Sequence, residues 1–315
     1  MQNGSKIPVT LITGFLGAGK STLLNALLRD PRFRGSAVLV NEFGDIGIDG
    51  ALVQGVDETV ITLSTGCICC AMRGEMITAL RDLHFKRVRG EVDEFQRLVI
   101  ETTGLADPAP ILATLLGDPI AAAVYHLDGI VAVIDGEHGE AHLDDRAEAR
   151  AQAAIADRLL ISKADRATPE SLASLEARLA GLNPFAEIRA MTLGDVAPEA
   201  LVGTFDPTRC HEPPPEGGSD HRDGIRSAGF AMPPNQPRAA LASRIALFLM
   251  LNGGRILRFK AIARCDDGKL WAFHGVRHVA YPAEPVAECP QSYENRAVVI
   301  SEAPPEHPQL LTETG

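Results

Sequence analysis

No stretch of this sequence is long and apolar enough to cross a bilayer. The longest run, Ile120–Ile134, is interrupted by His126 and Asp128. It falls short of the roughly 20 apolar residues that a spanning helix needs. The apolar stretch from Ile7 to Leu16 is broken by Pro8 and Gly14, and no small-residue cleavage site follows it, so no secretory leader is expected. Cysteine is scarce: six in 315 residues cannot make a disulfide scaffold. Positive charge is in deficit, with 30 basic against 41 acidic residues and a net charge of −11. That sign repels nucleic-acid backbones and anionic lipid, so neither nucleic acid nor membrane is expected as a partner. With 45% apolar and 23% charged residues, disorder, collagen-like and coiled-coil designs are excluded as well. What is left is a cytoplasmic globular protein of about two domains.

The first two hundred residues alternate short apolar runs with helical patterns. Strands are expected at Val9–Thr13, Ala37–Val40, Val60–Leu63, Leu98–Glu101, Ile130–Asp135, Leu159–Ser162 and Ile188–Met191. Most are continuously apolar, as strands covered on both faces of a mainly parallel sheet are. Helices are expected at Ser21–Arg29, Arg73–Leu83, Pro108–Leu116, Ala147–Ala156 and Pro169–Ala180. This pattern indicates an α/β domain over 1–205. A linker rich in proline, glycine and charge follows over 206–221, and a smaller α+β domain begins at 222. In that second domain the strand Arg255–Arg264 carries Leu257, Phe259, Ala261 and Ala263 on one face, expected to be buried. Arg258, Lys260 and Arg264, with Ile262 among them, are expected on a solvated basic face. Trp271 and Phe273 are expected in the core, and the proline-rich tail after Ala303 is expected to fray.

The strongest motif is Gly14-Phe-Leu-Gly-Ala-Gly19-Lys20-Ser21, which satisfies G-x-x-x-x-G-K-[ST] between an expected strand and an expected helix. Backbone N–H groups over Gly14, Gly17, Ala18 and Gly19 can turn toward phosphate oxygens, and the helix N-terminus behind them favours anions. Lys20 can neutralise the β- and γ-phosphates, and the Ser21 hydroxyl can ligate Mg²⁺. Leu98-Val-Ile-Glu101 is a strand ending in a carboxylate that can hold the Mg²⁺ shell, and Gly104 in the following Thr-Thr-Gly can offer its N–H to the γ-phosphate. Ser162-Lys163-Ala164-Asp165 resembles the N/T-K-x-D guanine motif, with serine for the usual asparagine. Asp165 can accept from both the N1–H and the N2 amino group of guanine, a donor pair that adenine lacks, and the Lys163 stem can cover the base.

Cys67, Cys69 and Cys70 crowd into four positions between an expected strand and an expected helix. Two or three of these thiols can converge on a soft metal ion from one loop; zinc would need a further ligand, and Glu42 of the nearby Asn41-Glu42-Phe43-Gly44-Asp45 segment is the candidate. Cys67 and Cys70 also form C-x-x-C, so a dithiol redox pair stays open. Asp45, Asp49 and Glu42 are alternatives for the base that positions water. His138 and His142 lie near an acidic stretch, and surface histidines of this kind are common.

The segments GFLGAGKST, NEFGDIGIDG, GCICC, VIETTGLADP and SKAD, in this order and spacing, resemble the CobW-type P-loop GTPases and are nearest to their YjiA-like members. The resemblance reaches the second domain through ILRFKAIA and LWAFHGV. It implies a P-loop NTPase fold and a GTP-dependent metallochaperone that binds Zn²⁺, or Co²⁺ in some branches, through its C-x-C-C motif. It implies Mg²⁺ with GTP or GDP on Gly17, Gly19, Lys20, Ser21 and Thr22, base contacts from Lys163 and Asp165, and a client metalloprotein as partner. A homodimer stays open. Two features depart from the family. Where many members have a long histidine-rich tract, only Cys210, His211 and His221 occur, and Ala261 stands where glycine is usual. Two other readings remain at this stage: a metal-binding regulatory or storage module with a vestigial nucleotide site, and a kinase-like phosphotransferase.

Overall fold

A computed structural model describes residues 6–33, 35–42, 60–64, 71–192, 201–204, 206, 219–220 and 224–313. The continuously apolar runs become a sheet of seven strands: β1 (Ile7–Thr13), β2 (Ser36–Glu42), β3 (Val60–Ser64), β4 (Arg97–Glu101), β5 (Tyr125–Asp135), β6 (Arg158–Ser162) and β7 (Glu187–Ala190). Their order is β3-β2-β4-β1-β5-β6-β7, and every neighbouring pair runs parallel. All seven carboxyl ends therefore share one edge, where ligands bind in open parallel sheets.

Helix α1 (Lys20–Leu28) buries Leu23, Leu24, Leu27 and Leu28. Their three-and-four spacing forms one face, which packs with Ile12, Val99, Val131 and Val133. Full burial of each such side chain contributes about 2 kcal/mol. Next come α2 (Ala71–Arg89), α3 (Ala109–Gly117) and α4 (Pro119–Val124). The run beginning at Ile120 divides between α4 and β5, and Asp118 starts the first of them. Its carboxylate accepts from the N–H groups of Ile120 and Ala121, starting α4, and pairs with Arg81 of α2. No helix among the described residues is long and apolar enough to cross a membrane.

Helices α5 (Gly139–Asp145), α6 (Ala147–Ile155) and α7 (Pro169–Leu182) complete this part of the chain. Two compact units result: Met1–His142 with Ala156–Leu175 and Glu187–Phe205, and Leu143–Ile155 with Glu176–Ala186 and Asp206–Gly315. Thus α6 and the end of α7 cluster with the C-terminal residues.

The second unit contains β8 (Ser219–Asp220), β9 (Arg226–Ala231), α8 (Arg238–Asn252), β10 (Ile256–Arg264), β11 (Leu270–Val276), β12 (Val279–Ala280), β13 (Glu284–Val286), β14 (Arg296–Ser301) and α9 (Gln309–Thr312). The strands form an antiparallel sheet, β12-β11-β10-β14-β9-β8, with β13 on β11. Leu241, Ile245, Phe248 and Leu249 of α8 cover one face, against Phe259, Ala261 and Ala263. Between Ile256 and Arg258 the ladder shifts register, and Ile256 rather than Leu257 joins this cluster.

Three expectations are corrected here. The opposite face of β10 is solvated only at Arg264, whose side chain is 39% exposed and pairs with Glu294: Arg258 is 0% exposed and Lys260 5%. A guanidinium N–H of Arg258 donates to the Ile155 carbonyl at the end of α6, 2.9 Å away, where the helix dipole favours a cation. Lys260 donates to the Asp206 carbonyl at 3.3 Å and lies 5.0 Å from the Phe185 ring centre. The tail carries α9 and docks on the second unit's core rather than fraying. Leu311 enters the core, and Asn252 exchanges hydrogen bonds with the backbone of Glu306. Phe273 is buried, but Trp271 is half-buried at the rim, under the Arg238 guanidinium at 4.1 Å.

Candidate nucleotide site

The loop that leaves β1 is shaped by its contact with β5. Gly14 has φ 141°, and a Cβ there would meet the Val133 carbonyl oxygen at 2.3 Å, so only glycine fits. Gly17 and Ala18 carry the loop onward, the Ala18 N–H donates to the Phe15 carbonyl at 3.2 Å, and Gly19 is the N-cap of α1. Lys20 begins the helix and is buried. Its ammonium donates to the carbonyls of Gly14 at 2.8 Å and Phe15 at 3.3 Å. Burial lowers its pKa from the ordinary lysine value, and the nearby Glu101 carboxylate opposes that shift.

Ser21 Oγ donates to Glu101 Oε1 at 3.0 Å, so a hydroxyl and a carboxylate from two elements meet beside the buried ammonium. Thr22 is exposed in the first turn of α1. Glu101 ends β4 and is 5% exposed. The chain beyond it stays on the loop. The Thr102 N–H donates to the Ile12 carbonyl at 2.9 Å, and Thr102 Oγ1 donates to Thr13 Oγ1 at 3.0 Å. A Cβ on Gly104 would meet the Leu16 backbone nitrogen at 2.7 Å. The Thr-Thr-Gly turn thus rests against the phosphate loop, and the missing side chain is what allows it.

On the other flank β6 delivers Ser162-Lys163-Ala164-Asp165. Ser162 Oγ donates to the Ala18 carbonyl at 2.6 Å, tying this loop to the phosphate loop. Lys163 adopts φ 51°, and Asp165 lies exposed in the single turn Ala164–Arg166. Two features escaped the sequence reading. Asp135, at the end of β5, accepts from Lys163 Nζ at 2.6 Å. The Phe15 ring of the phosphate loop lies 4.9 Å from the His142 ring, which stacks on His138 at 6.1 Å. A carboxylate ending an apolar strand was the available signal for Asp135; the ring contacts had none.

Ser21 and Glu101 offer hard oxygen donors, the set that suits Mg²⁺, and Lys20 adds the positive charge a triphosphate requires. The residues present fit that group. Glu42 is the last residue of β2 and is in register with Ser64 of β3. Cys67, Cys69 and Cys70 lie outside the described residues, as do Asp45, Asp49, Cys210, His211 and His221. Among the described residues no group of three or more His, Cys, Asp or Glu side chains is placed to hold a metal ion. Cys265 sits in the core with its thiol pKa pushed up to about 11 by burial and then by Asp267 and Asp266, and Cys289 is half-buried.

The family profile described as CobW/HypB/UreG, nucleotide-binding domain, matches residues 8–189. The zinc chaperone YjiA of Escherichia coli (strain K12) is 40% identical over 198 residues, which is 63% of this chain but only 61% of that relative's length. The zinc-regulated GTPase metalloprotein activator 1 of Schizosaccharomyces pombe is 28% identical over 97% of this chain and 81% of its own. The crystal structure of Zn(II)-bound YjiA GTPase from E. coli superposes with a TM-score of 0.71 at 27% identity, covering 95% of both chains.

Proposed function

Because the chain belongs to the CobW/HypB/UreG family, we propose that it hydrolyses GTP and uses the nucleotide state to control a zinc ion carried for a client protein. One observation carries this reading: the strand order β3-β2-β4-β1. On one edge of the sheet it sets side by side the exit toward the thiol loop, Glu42, Glu101 and the phosphate loop. Three strand spacings span roughly 14 Å, which is the distance the proposed coupling has to cover.

In the proposed mechanism the triphosphate draws Lys20 away from the Gly14 and Phe15 carbonyls, and the loop N–H groups take the phosphate oxygens. Asp165 accepts from the guanine N1–H and N2 amino group. Ser21 and Glu101 would hold Mg²⁺, which when bound neutralises charge on the β- and γ-oxygens. The Gly104 N–H meets the γ-phosphate while the terminal group is present. Water attacks in line, and loss of that phosphate releases Gly104 and the turn that rests on Leu16. Cys67, Cys69 and Cys70 with Glu42 take zinc as cargo. Glu42 is paired with Ser64, three residues before the first of these thiols. The loop that would carry the cargo therefore starts beside the same edge. Co²⁺ as a substitute cargo, a homodimer and a cytoplasmic location belong to the same proposal.

The test is phosphate release from GTP and ATP, with zinc added and with zinc removed by a chelator. The reading expects GTP to be used in strong preference and the rate to change severalfold with zinc. Identical rates and KM values in both states would remove the coupling. Phosphate recovered on an acceptor instead of in solution would make the protein a phosphotransferase.

A further inference from the structure

Asp135 has no part in the chemistry proposed above, yet three donors engage its carboxylate beside the nucleotide site. Its side chain is 3% exposed. Oδ1 accepts from the backbone N–H groups of Glu137 at 2.9 Å and His138 at 3.1 Å, which fixes the carboxylate plane through the turn after β5. Oδ2 then faces Lys163 Nζ at 2.6 Å, with the exposed His138 Nδ1 further off at 3.7 Å. Burial works against the ionised carboxylate. The Lys163 ammonium and the two backbone donors outweigh it and hold the carboxyl below its usual range.

The backbone joins the same two strand ends. Asp135 is in register with Ser162, and the Gly136 N–H donates to the Ser162 carbonyl at 2.8 Å. Lys163 then turns with φ 51°, uncommon for a residue with a side chain, which points its stem back toward Asp135 rather than along the strand. Ser162 cannot do this orienting. Its single hydroxyl proton is shared between the Ala18 carbonyl at 2.6 Å and the Ile134 carbonyl at 3.1 Å. An asparagine there would have two amide protons and a longer reach. A free lysine stem samples many rotamers, and a surface on which a purine stacks needs one.

We propose that Asp135 is a positioning residue for the guanine base: by clamping the Lys163 ammonium it holds the lysine stem extended as the platform on which the purine lies. This rests on the GTP reading and deepens it, assigning to β5 a part in base binding that the serine-for-asparagine exchange leaves open.

The experiment compares GDP and ADP affinity and GTP kinetics in the full chain and in three variants. Asp135→Asn keeps the acceptor for Glu137 and His138 and removes the charge that Lys163 meets. It is expected to weaken GDP and raise KM for GTP about tenfold, with kcat within twofold. Lys163→Met keeps the apolar stem but loses the ammonium, so it breaks the clamp from the other side and gives a comparable loss. In the Lys163→Met background, Asp135→Asn adds less than twofold. Wild-type-like GDP affinity in either single variant, or additive losses in the double variant, would overturn the proposal. If Asp135→Asn does not fold, Lys163→Met alone decides by the same criterion. Wild-type protein that binds ADP as tightly as GDP overturns the proposal together with the guanine reading, and that result is visible before any variant is made.

Discussion

Two lysines are buried in this molecule, one in each unit, and both ammonium groups donate to backbone carbonyls. Lys20 meets Gly14 and Phe15 at the edge where the parallel strands end. Lys260 meets Asp206 and lies over the Phe185 ring inside the second unit. Their local chemistry is alike, and their settings differ. Around Lys20 are a glycine-bearing loop, a helix N-terminus and the Ser21–Glu101 pair, a set that gains from an incoming anion. Around Lys260 are a backbone carbonyl, an aromatic face and a buried histidine, groups that belong to the packing of the second unit. On the proposed function a buried cation is a binding group in the first case, and in the second it is a packing group.

Removing one buried cation from each unit separates the two cases most sharply. Lys20→Ala is expected to cut GTP hydrolysis by at least about a hundredfold, the scale of losing one preorganised charge-stabilising group, with the fold intact by circular dichroism. Activity within tenfold of the wild type would equate the two lysines after all. Arg258→Met, on the face that Lys260 shares, strands the Ile155 carbonyl. It should lower stability by about 3 kcal/mol in urea, followed by the fluorescence of the sole tryptophan, Trp271, while KM for GTP stays unchanged. A raised KM with unaltered stability would reverse the assignment.

Acid probes the closed set alone. Burial, then Lys260 and Arg258, drives the His274 pKa well below the ordinary histidine value of 6.5. Below pH 6.5 the unfolded chain takes up a proton that the folded chain refuses. Stability is therefore complete above that pH and falls as the pH drops through the window beneath it. The expected slope is about 1.4 kcal/mol per pH unit, and His274→Leu should flatten it. An unchanged slope in that variant would contradict the account. The smallest effect belongs to the tie between the loops of the first unit. Ser162→Ala removes one hydrogen bond to Ala18, so KM for GTP should rise about fivefold with the urea midpoint nearly unmoved.

The contrast also explains what could be read before the fold was known. The phosphate loop, the Glu101 strand end and the Lys163 loop are contiguous motifs whose residue types follow from phosphate and base chemistry. The parallel strands were legible because burial on both faces leaves unbroken apolar runs. The second face of β10 was not. Its alternation of Arg258 and Lys260 with apolar residues looks like a half-solvated strand, and the carbonyl that makes Arg258 internal lies 103 residues earlier in the chain. Asp135 was marked only as a carboxylate ending an apolar strand; its partner Lys163 is 28 residues away, and no local pattern joins the two. The tail looked frayed because its prolines outnumber its apolar residues, yet Leu311 in the core, Leu310 beside it and the Asn252–Glu306 hydrogen bonds dock it.

The most direct test of the proposed coupling is zinc affinity, measured by chelator competition with the protein saturated first with GDP and then with a non-hydrolysable GTP analogue. The account predicts affinities that differ at least about fivefold, and by linkage the same factor in nucleotide affinity between zinc-loaded and zinc-free protein. Equal zinc affinities in the two nucleotide states would contradict it.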